Sequence, residues 1–312
     1  MHRGRQNRRR IFVRVSALLS LLGLSAALSA QESKTLNIPP AELMRIVVGN
    51  ELAAAKDTGP KFMFRSRKTT QKGVENRIYI EANEGVAALT VGESDQPLTP
   101  KQQQAEMDQL TRVANSPDKL HRRQERGKQE TEHTLRTLRA LPDAFCYEYA
   151  GIESSQDGLG KEGDPLVRLN FRPNPSYSPP STVEEALGGM QGYVLVDLKA
   201  KRLARIDGTL FKEVNFGWGI FGHLDKGGTF RVQQADEGDG HWGVTQMTLK
   251  LTGKILMLKS LNLSSDEVFD DFQRMPDNLP FARAVSLLQS EQERLAQNTR
   301  GLQPSPVTET RQ

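Results

Sequence analysis

The densest concentration of residues able to do chemistry is EVNFGWGIFGHLDKGGTF, from Glu213 to Phe230. Gly217, Gly219 and Gly222 spell G-x-G-x-x-G, the spacing with which a strand–turn–helix unit cradles a pyrophosphate. That chemistry needs a helix starting at the last glycine, because its free N–H groups meet the phosphate. Here only His223-Leu224 separate Gly222 from the turn signal Asp225-Lys226-Gly227-Gly228. No helix has room, and nucleotide binding is set aside. The glycines read instead as positions in a strand that let a sheet coil, with Phe216, Trp218 and Ile220 on the other face.

Other candidate groups are sparse. Outside the first thirty residues the histidines are His121, His133, His223 and His241. None pairs with another at i, i+4 beside a glutamate, and no cysteine spacing supplements them, so no metal site and no cofactor are expected. His223 and His241 would meet only if their strands were neighbours, and exposed turn histidines are the simpler reading. The single cysteine, Cys146, allows no internal disulfide and sits in the apolar run Ala144-Phe145-Cys146-Tyr147, as a buried inert thiol would. There is no G-x-S-x-G and no G-x-x-x-x-G-K-[ST]. Asp236, Glu237 and Asp239 belong to a hairpin turn. Asp266-Glu267 and Asp270-Asp271 suit the first turns of a helix. No catalytic residue is nominated, and an enzyme is not expected.

What positions these residues starts with an address. MHRGRQNRRRIFVR is basic and VSALLSLLGLSAALSA is apolar, short and ends in small residues, the build of a secretory signal peptide over residues 1–30. Cleavage after Ser29 fits the small-residue rule better than cleavage after Ala30. Export by the general secretory route is expected, with Arg9-Arg10 leaving a twin-arginine route as the alternative. Six of the 42 basic residues lie in this leader and no acid does, which leaves 36 basic against 38 acidic residues, a net of −2. The basicity therefore belongs to targeting and gives no support for nucleic acid as a partner.

The remainder reads as one domain over 31–296 and a polar tail over 297–312. Pro39-Pro40 opens a helix with Leu43, Ile46, Val47, Leu52 and Ala53 on one stripe. KFMFRSR, NRIYIEA and GVAALTV form a three-stranded meander. Residues 99–141 are a charged helical insertion that Pro117 and Gly127 divide into two or three helices; its basic cluster from Lys119 to Arg126 is interleaved with glutamates, as on a solvated face. AFCYEYAGIE and PLVRLNFRPNP are strands, and Thr182 with Glu185 opens a short helix. QGYVLVDL, KRLARIDG, EVNFGWGIFG, GTFRVQQAD, WGVTQMTLKL and KILMLKSLNL then follow with joins too short for parallel crossovers, among them Thr252-Gly253-Lys254. SSDEVFDDFQR begins a helical region that runs to about Ala296.

This layout, carried by GYVLVDLKAKRLARIDG at 192–208, FKEVNFGWGIFG at 211–222 and GKILMLKSL at 253–261, resembles the LolA/LolB-like periplasmic lipoprotein carriers and their sorting relatives. The resemblance implies an α+β fold, a strongly curved antiparallel sheet (an incomplete β-barrel) covered by helices, with an apolar cavity for acyl chains. It makes Phe216, Trp218, Phe230 and Trp242 candidate ligand-binding aromatics. It implies a lipid or acylated partner such as a lipoprotein, peripheral contact with a membrane, a monomer and a periplasmic location. The alternative is a cell-envelope interaction protein whose sheet is filled by its own side chains.

Overall fold

The computed structural model describes residues 38–56, 59–216, 222–238, 240–255 and 259–301. The leader and residues 302–312 lie outside them. Helix α1, Pro40–Ala54, carries its proline in the first turn, where a missing N–H costs little. It buries Leu43, Met44, Val47, Val48 and Glu51, a stripe rotated from the sequence-based one, and Ala53 is exposed. The rotation turns Glu51 inward to Arg202.

The meander forms as its period-two pattern requires: β1 Lys61–Thr70, β2 Gly73–Ala82, β3 Gly85–Glu93 and the short β4 Gln96–Pro97. Ser94 and Asp95 turn its last hairpin at φ 51° and 59°, the paired left-handed conformation that suits strand twist. The charged insertion is two helices, α2 Pro100–Ala114 and α3 Pro117–Ala144. Thr99 and Gln102 close a capping box at the first. Pro117 starts the second, and Gly127 does not interrupt it: one glycine costs about 1 kcal/mol, which a helix of 28 residues absorbs.

Strands β5 Phe145–Ser154 and β6 Pro165–Pro173 follow, then the short helix α4 Thr182–Glu185 with a 3-10 turn at Ala186–Gly189. Next come β7 Met190–Asp197, β8 Arg202–Leu210, β9 Val214–Phe216, β10 Gly222–Leu224, β11 Thr229–Asp236, β12 Trp242–Ile255, β13 Lys259–Met275 and helix α5 Phe281–Gly301.

The fold departs from the sequence expectation at three further places. EVNFGWGIFG is not one strand, since Phe216 and Gly222 are antiparallel partners. Thr252-Gly253-Lys254 is not a turn, because β12 continues to Ile255 and takes β10 as a further neighbour. A Cβ on Gly253 would lie 2.1 Å from the His223 carbonyl oxygen, so the glycine there admits the β10 backbone. SSDEVFDDFQR is strand rather than helix, paired with β12 as far as Val268 and with β1 from Ser265 onward. Both ladders satisfy its backbone, and its acids find partners other than a helix N-terminus: Glu267 meets Lys68, and Asp271 meets Arg65.

The described strands form one sheet in the order β4-β3-β2-β1-β13-β12-β11-β8-β7-β6-β5, with β9 and β10 hung on β12. Two consecutive meanders are thus stitched together by β13 against β1, and every pair between named strands is antiparallel. The sheet is strongly curved and does not close into a barrel. Register places Val194, Ile206, Val232, Met247, Glu267 and Lys68 in one row on one face. On that face α1 and the end of α3 bury Val167, Leu169, Phe171, Val194 and Val196. The opposite face of β1–β3, with Met63, Ile78, Ile80, Ala87 and Leu89, is covered by α2 and α5.

Candidate functional site

The α1 face is concave, and a cavity shared by distant strands supports it. In a flat sheet β8 and β1, four places apart, would be separated by roughly 19 Å. Yet Arg202 of β8 and Lys61 of β1 line the same cavity of about 410 Å³ under the end of α1. The sheet therefore curls around α1, which fills one end of a trough.

Beyond α1 the trough is lined by side chains that none of the described helices covers. Phe230 and Leu249 are cross-strand partners, as are Val232 and Met247, and Leu251 and Leu263. These pairs share the concave face with Phe269 and Phe64. Met247 is 41% exposed and Leu263 is 43% exposed. Phe230 is half-buried and packs at the edge of the α1 cluster. Its ring lies across Gly208, where a Cβ would come within 2.3 Å of it. Phe64 stacks on Tyr79 at 5.1 Å and on Phe272 at 5.2 Å, forming an aromatic wall at the β1 side. One carboxylate sits among these groups: Glu267 is buried, accepts a hydrogen bond from Ser66 Oγ at 2.9 Å and pairs with Lys68 Nζ at 3.0 Å.

The 410 Å³ cavity at the closed end is polar. Glu51 holds Arg202 through two hydrogen bonds, 2.8 and 2.9 Å, and accepts the Leu203 N–H at 2.8 Å. Burial pushes the Glu81 carboxyl up, opposed by the hydrogen bond it accepts from the Phe62 N–H. Burial, helped by the Arg202 charge, pushes the His241 imidazole down, and its ring stacks on Phe62 at 3.9 Å. The described residues lining this cavity supply proton donors and acceptors and include no serine, threonine or cysteine.

The four aromatics singled out from the sequence are not gathered at one point. Phe230 is in the trough wall. Trp242 lines the polar cavity and packs against the separate cluster of Leu159, Leu166, Leu195 and Ala204. Phe216 is half-buried in β9, and Trp218 lies outside the described residues with Gly217, Gly219 and Ile220. Sequence reasoning missed Val232, Met247, Leu249, Leu251 and Leu263, although their alternation along GTFRVQQAD, WGVTQMTLKL and KILMLKSLNL was readable. It also missed a cluster at the β9–β10 hairpin, where Glu213, His223 and Asp225 place one ligand atom each within 4.8 Å of the others. His223 and His241 do not meet: His223 faces Lys254 near one end of β12, and His241 precedes the other end.

No family model matches the chain, and no curated protein matches it. Among solved structures it is similar to the crystal structure of a DUF1329 family protein from Desulfovibrio piger ATCC 29098, at 9% identity over 76% of this chain and 94% of that one, with a TM-score of 0.26. A likeness of that size carries no weight for fold, ligand or activity.

Proposed function

We propose that this chain is an exported binding or carrier protein that takes the acyl chain of a lipid, or of an acylated protein, along the uncovered part of its concave sheet face. One observation carries the reading: Phe230, Val232, Met247, Leu249, Leu251 and Leu263 line neighbouring strands on that face, and two of them remain more than 40% exposed. A contiguous apolar surface of this kind is a cost to a water-soluble protein unless something covers it. An extended hydrocarbon chain matches its shape and chemistry. The leader in the sequence supports delivery outside the cytoplasm, and the trough agrees with the layout shared with lipoprotein carriers.

The test is displacement of a fluorescent fatty-acid probe from the mature chain. Saturable binding is expected, weakened at least tenfold by Met247→Asp with Leu263→Asp, because each carboxylate would have to be dehydrated against the hydrocarbon. Val86→Asp, at an exposed apolar residue outside the trough, serves as the control and leaves binding unchanged. Saturable probe binding absent from a folded wild-type chain would overturn the carrier reading in favour of an envelope interaction protein.

A further inference from the structure

The hairpin β9–β10 carries a second feature, separate from the trough. Val214 pairs with Leu224 and Asn215 with His223, so the same register sets Glu213 opposite Asp225. Antiparallel partners share a face, and residues two apart along a strand share it too. Glu213, Asn215, His223 and Asp225 therefore form a square of four polar side chains on one face of a two-stranded ribbon.

Their donor atoms are close enough to act on one ion. His223 Nε2 lies 3.3 Å from Asp225 Oδ1, and the ligand atoms of Glu213, His223 and Asp225 are mutually within 4.8 Å. Two donors at about 2.1 Å from a common ion, roughly 90–110° apart, stand about 3.0–3.4 Å from each other, so the His–Asp edge already has the spacing of a ligand pair. Asn215 Nδ2 donates to Glu213 Oε1 at 3.0 Å, which orients the second carboxylate from outside the ligand set. Two carboxylates bring charge and one imidazole brings borderline-soft nitrogen, a set suited to zinc-class ions rather than to the all-oxygen cages that calcium prefers. Glu213 is exposed while His223 and Asp225 are half-exposed, so an ion has access and water can complete its coordination.

We infer that Glu213, His223 and Asp225 form a binding site for one divalent first-row transition ion, of which zinc is the type. The ion would tie the entry of β9 to the exit of β10 across the base of the ribbon. Lys254 is the register partner of His223 across the β10–β12 ladder, and a positive charge on that face opposes a bound cation.

The experiment titrates the metal-stripped mature chain with Zn2+ by calorimetry and with Co2+ by visible absorption. One ion per chain is expected, with Co2+ bands showing mixed nitrogen and oxygen ligation. His223→Ala should weaken binding at least tenfold, and Glu213→Gln and Asp225→Asn should each weaken it by about the same factor. Lys254→Gln should bind at least as tightly as the wild type. These positions lie on an accessible ribbon, and unchanged far-ultraviolet circular dichroism checks that each variant is folded. Absence of saturable binding by the folded wild type, or binding that His223→Ala leaves unaltered, would overturn the assignment. Probe displacement from the trough is read separately, so failure of either proposal leaves the other standing.

Discussion

Consider the replacement of Glu51 by alanine. Its carboxylate lies at the end of α1, with the Glu51 and Arg202 side chains only 8% and 15% exposed. It accepts three hydrogen bonds, two from Arg202 and one from the Leu203 N–H. Deleting it leaves a nearly dehydrated guanidinium without its counter-charge, which costs about 3–5 kcal/mol in buried pairs. It also strips a buried N–H of its acceptor, about 1–3 kcal/mol more where water cannot replace it. The neighbouring 410 Å³ cavity admits some water to Arg202, so the lower end, about 3–4 kcal/mol in total, is expected. Replacing both partners, Glu51→Leu with Arg202→Met, removes the stranded charge and should recover more than half of that loss. Urea unfolding followed by circular dichroism measures both, as shifts in midpoint at constant slope. The reasoning fails if Glu51→Ala costs under about 1 kcal/mol, or if the double replacement is as unstable as the sum of the single ones.

Gly253→Ala puts a methyl group against the His223 carbonyl oxygen, which is backbone and cannot rotate away; faster amide hydrogen exchange over 222–224, with exchange at β6 and β7 unchanged, would show β10 detaching from β12. Gly208→Ala drives a Cβ into the Phe230 ring and should cost about 1–3 kcal/mol in urea unfolding while weakening fatty-acid probe binding; full stability would mean that the ring is not seated there. Glu81 is raised by burial, so the folded state holds its proton more firmly than the unfolded chain does. Its contribution is present at low pH and is lost as pH rises through the folded value. Glu81→Gln, which can still accept the Phe62 N–H, should therefore melt higher than the wild type at pH 8, with the gap closing toward pH 4. A gap that widens on acidification would reverse the sign of the argument.

The strands of both meanders were legible because alternation is a local property: Val167, Leu169 and Phe171 announce one buried face without reference to any partner. The helix of α1 was legible for the same reason, but its rotation was not, because Glu51 turns inward only for Arg202, 151 residues away in sequence. The basic cluster of α3 read as a solvated face. In the fold Arg123 is half-buried, donates to the Val86 carbonyl at 2.6 Å and lies 5.5 Å from the Phe281 ring centroid, tying three elements together. Val268, Phe269 and Phe272 were placed in a helix because acids flank them, and acids at a helix start and acids on a strand look alike in sequence.

G-x-G-x-x-G shows the division most clearly. The sequence by itself excluded the nucleotide loop, since chain length left no helix after Gly222. It could not show that Phe216 faces Gly222 across a ribbon, nor that the ribbon assembles Glu213, His223 and Asp225. Periodicity is fixed by neighbours along the chain, which a sequence displays. The pairing of β13 with β1 and the curl that makes a trough of the α1 face depend on which distant edges satisfy each other's hydrogen bonds, and only the folded chain decides that.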